Sequence, residues 1–225
     1  MEQFSRTFIE EDRYKLFLSG FTTTITIAFL ATIIGIALGV VIAIIKVYHF
    51  QSGKWKILNA LTDAYLAVFR GTPIVVQLMI LYYVVLIDVR DGIIVAIIGF
   101  GLNSAAYVAE IIRAGILAVD KGQFEAGRSL GLSEITTMSL IVLPQAFKNI
   151  LPALFNEFIT LLKETSVAGY ITVVDLTKAG DFVRTRTMQA FFPLISVAIM
   201  YFILVMGLTY IQGRIERRLR KSDRR

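Results

Sequence analysis

From residue 16 to residue 45 the chain carries no Asp, Glu, Lys or Arg. Only a very large core or a lipid bilayer accommodates such a run, and a crossing helix needs roughly 20 mostly apolar residues. Composition decides between the two. In a chain of 225 residues, 56% are hydrophobic and only 18% charged, with a mean hydropathy of +0.70. That is too little charge to clothe a soluble globule of this size. Glu10, Glu11, Asp12 and Arg13 precede the run, and it exceeds the apolar core of a signal peptide, so it reads as a retained helix. The chain is an integral membrane protein of all-α class.

Four further segments follow: residues 57–87, with only Asp63 and Arg70 as charges; 92–117, uncharged as far as Ala109; 149–162, short and carrying Glu157; and 187–213, free of charge. Residues 1–15 then form an N-terminal segment outside the cell, 16–213 the membrane domain with a long loop at about 118–145, and 214–225 a basic cytoplasmic tail. Five crossings put the termini on opposite sides. With the C-terminus inside, thirteen Lys and Arg are cytoplasmic, seven of them in the tail (Arg214, Arg217, Arg218, Arg220, Lys221, Arg224 and Arg225), against eight outside. The positive-inside rule therefore places the N-terminus outside the cytoplasmic membrane and the C-terminus in the cytoplasm. Ala31, Gly35, Gly39 and Ala43 recur every four residues, a smooth stripe on which another helix can approach closely.

Several chemistries are excluded. There is no Cys and one His, His49, so no clustered metal ligands and no thiol chemistry are expected. No G-x-x-x-x-G-K-[ST] loop occurs, so ATP phosphates are not cradled by the usual device. Gly127-Arg128-Ser129-Leu130-Gly131 fits the letters of a hydrolase elbow but lacks a preceding strand and a His partner. The chain is expected to be no enzyme, with no catalytic residue, metal or cofactor of its own.

The loop between the third and fourth segments reads GQFEAGRSLGLS over residues 122–133, and nine residues separate Gly131 from Ile141-Val142-Leu143-Pro144. This closely resembles the E-A-A-x3-G-x9-I-x-L-P signature of permease subunits in ABC importers, with Gly127 where that pattern prefers Ala. Phe69-Arg70-Gly71-Thr72-Pro73 through Gln77-Leu78, the stretch from Ser104 to Gly115, and Lys163-Glu164-Thr165-Ser166 resemble polar amino-acid permeases of the histidine, glutamine and arginine kind. The resemblance runs from about Gly20 to Ile215.

It implies five transmembrane helices of the type-I importer kind and a short cytoplasmic coupling helix spanning Phe124, Glu125, Ala126, Gly127, Arg128, Leu130, Gly131 and Leu132. Glu125 in a first turn suits the positive end of the helix dipole, Gly131 ends the helix in a left-handed conformation, and Gly127 costs some helix propensity. The implied partners are a cytoplasmic ATPase dimer holding ATP and Mg, a second permease copy or paralogue, and an extracytoplasmic amino-acid-binding protein. The function implied is ATP-driven import of polar amino acids by alternating access, and the carboxylate-rich faces described below point to cationic ones. A type-I importer permease for another small solute, or a gradient-driven carrier or channel, is the alternative.

Charged residues inside a membrane usually face a bundle interior or a wet cavity. Asn103, Tyr107 and Glu110 share one face of the third segment, and Glu157, Thr160 and Glu164 one face of the fourth. Two such stripes facing each other would hold a substrate, with Glu157 meeting its cation and Asn103 and Tyr107 its backbone groups. Arg113, three residues after Glu110, is positioned to neutralise it instead. Arg70, Gly71 and Pro73 mark a helix break, since Pro removes a backbone donor. That break serves either as a gate or as a satisfied kink.

Overall fold

A computed structural model describes residues 2–221. Residue 1 and residues 222–225, including Arg224 and Arg225 of the basic tail, lie outside the described residues, as do the side chains of Arg220 and Lys221. Ten α-helices run in chain order: α1 Glu2–Phe8, α2 Tyr14–Ser52, α3 Lys56–Gly71, α4 Ile74–Ile80, α5 Gly92–Leu117, α6 Lys121–Ser129, α7 Glu134–Thr137, α8 Leu143–Glu164, α9 Leu176–Thr187 and α10 Phe191–Lys221. Among the described residues there is no strand. Four stretches are long and apolar enough to cross a membrane, and the bent pair α3–α4 makes a fifth.

The small-residue stripe of α2 sets the centre of the fold. A Cβ on Gly35 would sit 2.8 Å from Ser104 Oγ, and one on Gly39 2.6 Å from Val108 Cγ1. On α5, a Cβ on Gly101 would sit 2.8 Å from Ile34 Cγ2. These contacts advance in step along both helices, so α2 and α5 run parallel. The stripe, whose spacing suits packing within the chain as well as between copies, packs here against α5 of the same chain. In lipid the gain comes from close van der Waals contact rather than from escape from water. Helix α8 runs the other way, with Ile150 against Gly115 and Glu157 against Ser104. The buried side chains Ile27, Leu78, Phe100, Leu161 and Ile171 fill the space between these elements.

Three expectations change. The second segment is not one straight helix: α3 and α4 meet at 109° across Thr72 and Pro73, because Pro73 ends the hydrogen-bond ladder. The helix of the fourth segment, α8, starts at Leu143 rather than at residue 149, with Pro144 tolerated in its first turn, inside an apolar helical stretch that runs from Glu134 to Ile171. The fifth begins at Phe191, not 187, and continues to Lys221.

The stretch 163–186, read as a loop, contains α9. Leu176, Ala179, Gly180 and Val183 make its buried stripe, and Leu176 and Val183 pack with Phe17 and Val197. Asp175 caps it, accepting from Thr177 N at 2.9 Å and Lys178 N at 3.1 Å. Burial pushes the Asp175 carboxyl above its usual range, opposed by those two amides.

Candidate functional site

Three parts of the chain hold the residues singled out above. The first is the loop element α6. Asp120, not Glu125, sits at its N-terminus, its Oδ1 accepting from Gly122 N at 2.6 Å. The helix starts at Lys121, so Glu125 falls in the second turn rather than the first. At the other end Leu132 N donates to Gly127 O at 3.2 Å and Gly131 N to Arg128 O at 3.0 Å. This pair of bonds is a Schellman motif, which requires the left-handed φ of +83° that Gly131 adopts. Arg128 Nη1 closes the turn on Leu132 O at 2.6 Å.

Gly127 is buried and earns its place by size. A Cβ there would lie 2.6 Å from Thr137 Cγ2 and 2.9 Å from Ile141 Cδ1. The reading of Gly127 as a mere loss of helix propensity is therefore corrected: the missing methyl lets α6 seat on α7 and the π-helical turn Met138–Val142. Ala126, Arg128 and Leu130 are exposed, Leu132 and Phe124 half-buried. Leu130 is 81% and nearby Ile135 82% exposed, at the end of the bundle beyond α5.

The second part is the helix break. Gln77 Nε2 reaches Phe69 O and Thr72 O, each at 3.0 Å, and Thr72 Oγ1 at 2.8 Å. Asn103 Nδ2 donates to Phe69 O at 3.1 Å and to Gln77 Oε1 at 2.9 Å. The two buried amides thus satisfy carbonyls that the break at Gly71 and Pro73 leaves without helical partners. Asn103 spends both its donors here, so the expected polar stripe of Asn103, Tyr107 and Glu110 faces α3 and α4, not α8. Arg70 lies over the Tyr107 ring, 5.6 Å from its centroid. Glu110 is held by Arg113 through two bonds, Nε to Oε2 at 2.9 Å and Nη2 to Oε1 at 2.5 Å.

Arg70, Glu110 and Arg113 line a cavity of about 1020 Å³ that opens beneath α6, together with Phe124 and the ion pair Lys46–Asp63. His49 is also on its wall, with Nδ1 2.5 Å from Lys54 O.

The third part is α8. Glu157 is half-buried, and its contact on α5 is Ser104, whose Oγ donates to Oε1 at 3.1 Å. Ser104 rather than Asn103 meets α8 because successive helical residues turn by about 100°. Thr160 and Glu164 are half-buried on the same side. Gln77 and Ser104 stand in the family-like stretches quoted above but are not among the candidate site residues. Gln77 lies four residues after Pro73, a spacing that brings an amide back over the break. Nothing in the local sequence marks Ser104 as the partner of Glu157. Among the described residues no group of His, Cys, Asp and Glu is arranged to hold a metal ion.

Residues 35–221 match the family described as binding-protein-dependent transport system inner membrane component. A putative glutamine transport system permease protein of Rickettsia bellii is 42% identical over 205 residues, 90% of this chain and 92% of that protein. The arginine transport system permease protein ArtQ of Bacillus subtilis is 42% identical over 209 residues, 92% of this chain and 93% of that one. The glutamine transport system permease protein GlnP of Escherichia coli is 36% identical over 84% of this chain and 88% of its own. Among solved structures, an amino acid ABC transporter with histidines aligns at a TM-score of 0.85 and 40% identity, covering 91% of this chain and 94% of that one. The inward-facing MetNI methionine ABC transporter shares the fold, at a TM-score of 0.78 and 21% identity over 94% and 99% of the two chains.

Proposed function

Because this chain belongs to the family of binding-protein-dependent transport system inner membrane components, we propose that it forms the pathway of an ATP-driven importer that takes up cationic amino acids by alternating access. It is a membrane-spanning permease subunit, and its full-length relatives carry names of glutamine and arginine permeases. The observation that carries the coupling part is α6: a short capped helix, held to the bundle through Gly127 and Thr137, whose C-cap Leu130 stands exposed near the exposed Ile135 of α7. Apolar side chains so exposed outside the spans suit a socket on another subunit, here the ATPase, which would hold ATP and Mg. Closure of an ATPase dimer would push α6, and through Met138–Val142 the start of α8, rocking the bundle about a fixed site.

In this orientation the α6 end is cytoplasmic, and the start of α2, at the opposite end of the parallel pair, is outside. The remaining partners are a second permease subunit and an extracytoplasmic binding protein. Cationic selectivity rests on the carboxylates. Glu157 has a single neutral donor, Ser104, and no basic residue three or four positions away, so its charge is available to a substrate ammonium or guanidinium. Thr160 and Glu164 extend that face. Glu110 is already neutralised by Arg113, so with Tyr107 and Arg70 it shapes the cavity on the route to the cytoplasm. Asn103 holds the break rather than the substrate.

The test is uptake by reconstituted transporter with a panel of amino acids. Glu157→Gln should weaken arginine uptake about ten- to a hundredfold, the equivalent of a charged hydrogen bond of roughly 1.5–3 kcal/mol, and leave glutamine uptake within about threefold. Equal loss for both substrates would assign Glu157 a structural role.

A further inference from the structure

Helix α10 joins an apolar groove to a cationic end on one side of the helix. The groove, of about 420 Å³, runs from Met200 to Ile211 and has Phe21 of α2 on its wall. Gly207 opens it: the residue is exposed, and a Cβ there would meet no atom within 4 Å. At about 100° per residue, Met200, Gly207, Ile211, Arg214 and Arg218 all fall within a sector of roughly 60°. Both arginines are exposed. Arg214 is held in place, its guanidinium 4.7 Å from the centroid of the Tyr210 ring and donating to the Tyr210 hydroxyl. Glu216, the only acid of α10 among the described residues, lies on the opposite side of the helix. The depth fits one leaflet. Residues 187–213 carry no charge, so Arg214 marks the edge of the hydrocarbon core. From Met200 to Ile211 the helix rises roughly 16 Å, about half of a core some 30 Å thick.

We propose that this groove is a binding site for an anionic phospholipid of the cytoplasmic leaflet, with an acyl chain along Gly207 and the phosphate at Arg214 and Arg218. Charge complementarity selects the occupant. A guanidinium matches phosphate oxygens with two parallel hydrogen bonds, and Arg218 stands one turn beyond Arg214 on the same side. Tyr210 already orders Arg214, so less side-chain freedom is lost on binding. The missing side chain at Gly207 lets a chain lie against the helix backbone, where it gains dispersion contact that a bulkier residue would prevent. The cytoplasmic leaflet is also where anionic lipids meet juxtamembrane cations. A zwitterionic lipid finds the same groove, but its own cation offsets the attraction of its phosphate to the two arginines.

The inference rests on the permease reading only for which leaflet meets Arg214, and its test needs neither ATP nor amino acid, so it succeeds or fails independently of transport. The intact transporter is reconstituted in phosphatidylcholine vesicles containing a small fraction of phosphatidylglycerol with a diazirine on its acyl chain. After illumination, labelled peptides are mapped by mass spectrometry. Peptides covering residues 200–211 should carry about tenfold more label than phosphatidylcholine with the same diazirine chain gives at equal fraction. Arg214→Gln combined with Arg218→Gln should reduce the phosphatidylglycerol label to the phosphatidylcholine level. Gly207→Leu, whose side chain has open space to enter, should lower it severalfold with both arginines in place. Equal labelling by the two lipids in the parent overturns the proposal, as does phosphatidylglycerol labelling that survives the double arginine variant or Gly207→Leu. Absence of label from both lipids, the result expected if a protein helix covers the groove, overturns it as well. If a variant fails to insert, the comparison of the two lipids on the parent decides alone.

Discussion

Gly127→Ala tests the seating of α6 at the level of one methyl group. Judged on helix propensity alone, Ala would stabilise α6 by about 0.5–1 kcal/mol. The geometry reverses that sign. The new Cβ would lie 2.6 Å from Thr137 Cγ2, 3.0 Å from Thr137 Oγ1 and 2.9 Å from Ile141 Cδ1, where carbon atoms prefer about 3.5–4.0 Å. Thr137 is fully buried and branched at Cβ, so its side chain has little freedom to swing aside. Relief therefore requires α6 to move by about 1 Å, and overpacking of this kind costs about 1–3 kcal/mol. The balance is a loss of roughly 1–2 kcal/mol, which lowers the population of seated α6 by about five- to thirtyfold. Faster hydrogen exchange in residues 123–132 and a matching fall in ATP-driven uptake are expected. Adding Thr137→Ala should recover most of both, because it removes two of the three crowding atoms, leaves only the flexible end of Ile141, and costs no hydrogen bond at Thr137 Oγ1. Slower exchange in Gly127→Ala alone would refute the reasoning.

Three other outcomes follow from the packing. Gly39→Leu drives a side chain into Val108 and Ala105 O, so α2 should separate from α5 and the melting temperature should fall by several degrees in a detergent thermal-shift assay. Gln77→Leu removes the side-chain donor to Thr72 O and the acceptor of Asn103 Nδ2, leaving Phe69 O with Asn103 alone, at a cost of about 1–3 kcal/mol. Protease accessibility at residues 70–74 should rise, whereas a variant as resistant as the parent would remove the latch from the account. Asp175→Asn keeps an N-terminal acceptor for α9 without a charge to bury. Since burial holds the Asp175 carboxyl above its usual range, the parent loses stability as pH rises from the unfolded carboxyl range through its folded value. The variant should therefore be slightly more stable than the parent at pH 7, and the advantage should vanish in acid.

The spans were legible because the signal for a membrane helix is local: lack of charge over a sufficient length. The sequence reading of 92 to about 117 matches α5, and the structure adds Asp91 as its cap. Pro73 announced a break, but the 109° bend depends on Gln77 and Asn103, a contact made across 26 residues. Helix α9 was hidden because Lys178, Asp181, Arg184 and Arg186 dominate its composition, although its buried residues keep a helical interval. The end of α6 at Gly131 was readable because only a left-handed residue closes that turn. Gly127 was misread because its role belongs to Thr137 on another element. In the membrane site the Glu110–Arg113 pair was visible at its interval of three, whereas the Ser104–Glu157 bond exists only once α5 and α8 are packed.

The central claim is that this chain carries amino acids only when an ATPase drives α6. Its most direct test is arginine accumulation in proteoliposomes holding the chain, its ATPase subunit and its binding protein, with ATP inside, compared with the same vesicles bearing Gly131→Trp. Gly131 has open space around it and φ +83°, so Trp there obstructs the surface beside Leu130 and strains the turn while leaving the spans untouched. The account predicts ATP-dependent accumulation in the parent and none in the variant, with equal amounts of permease in the vesicles. Accumulation that persists in the variant, or that proceeds on an ion gradient without the ATPase, would contradict it.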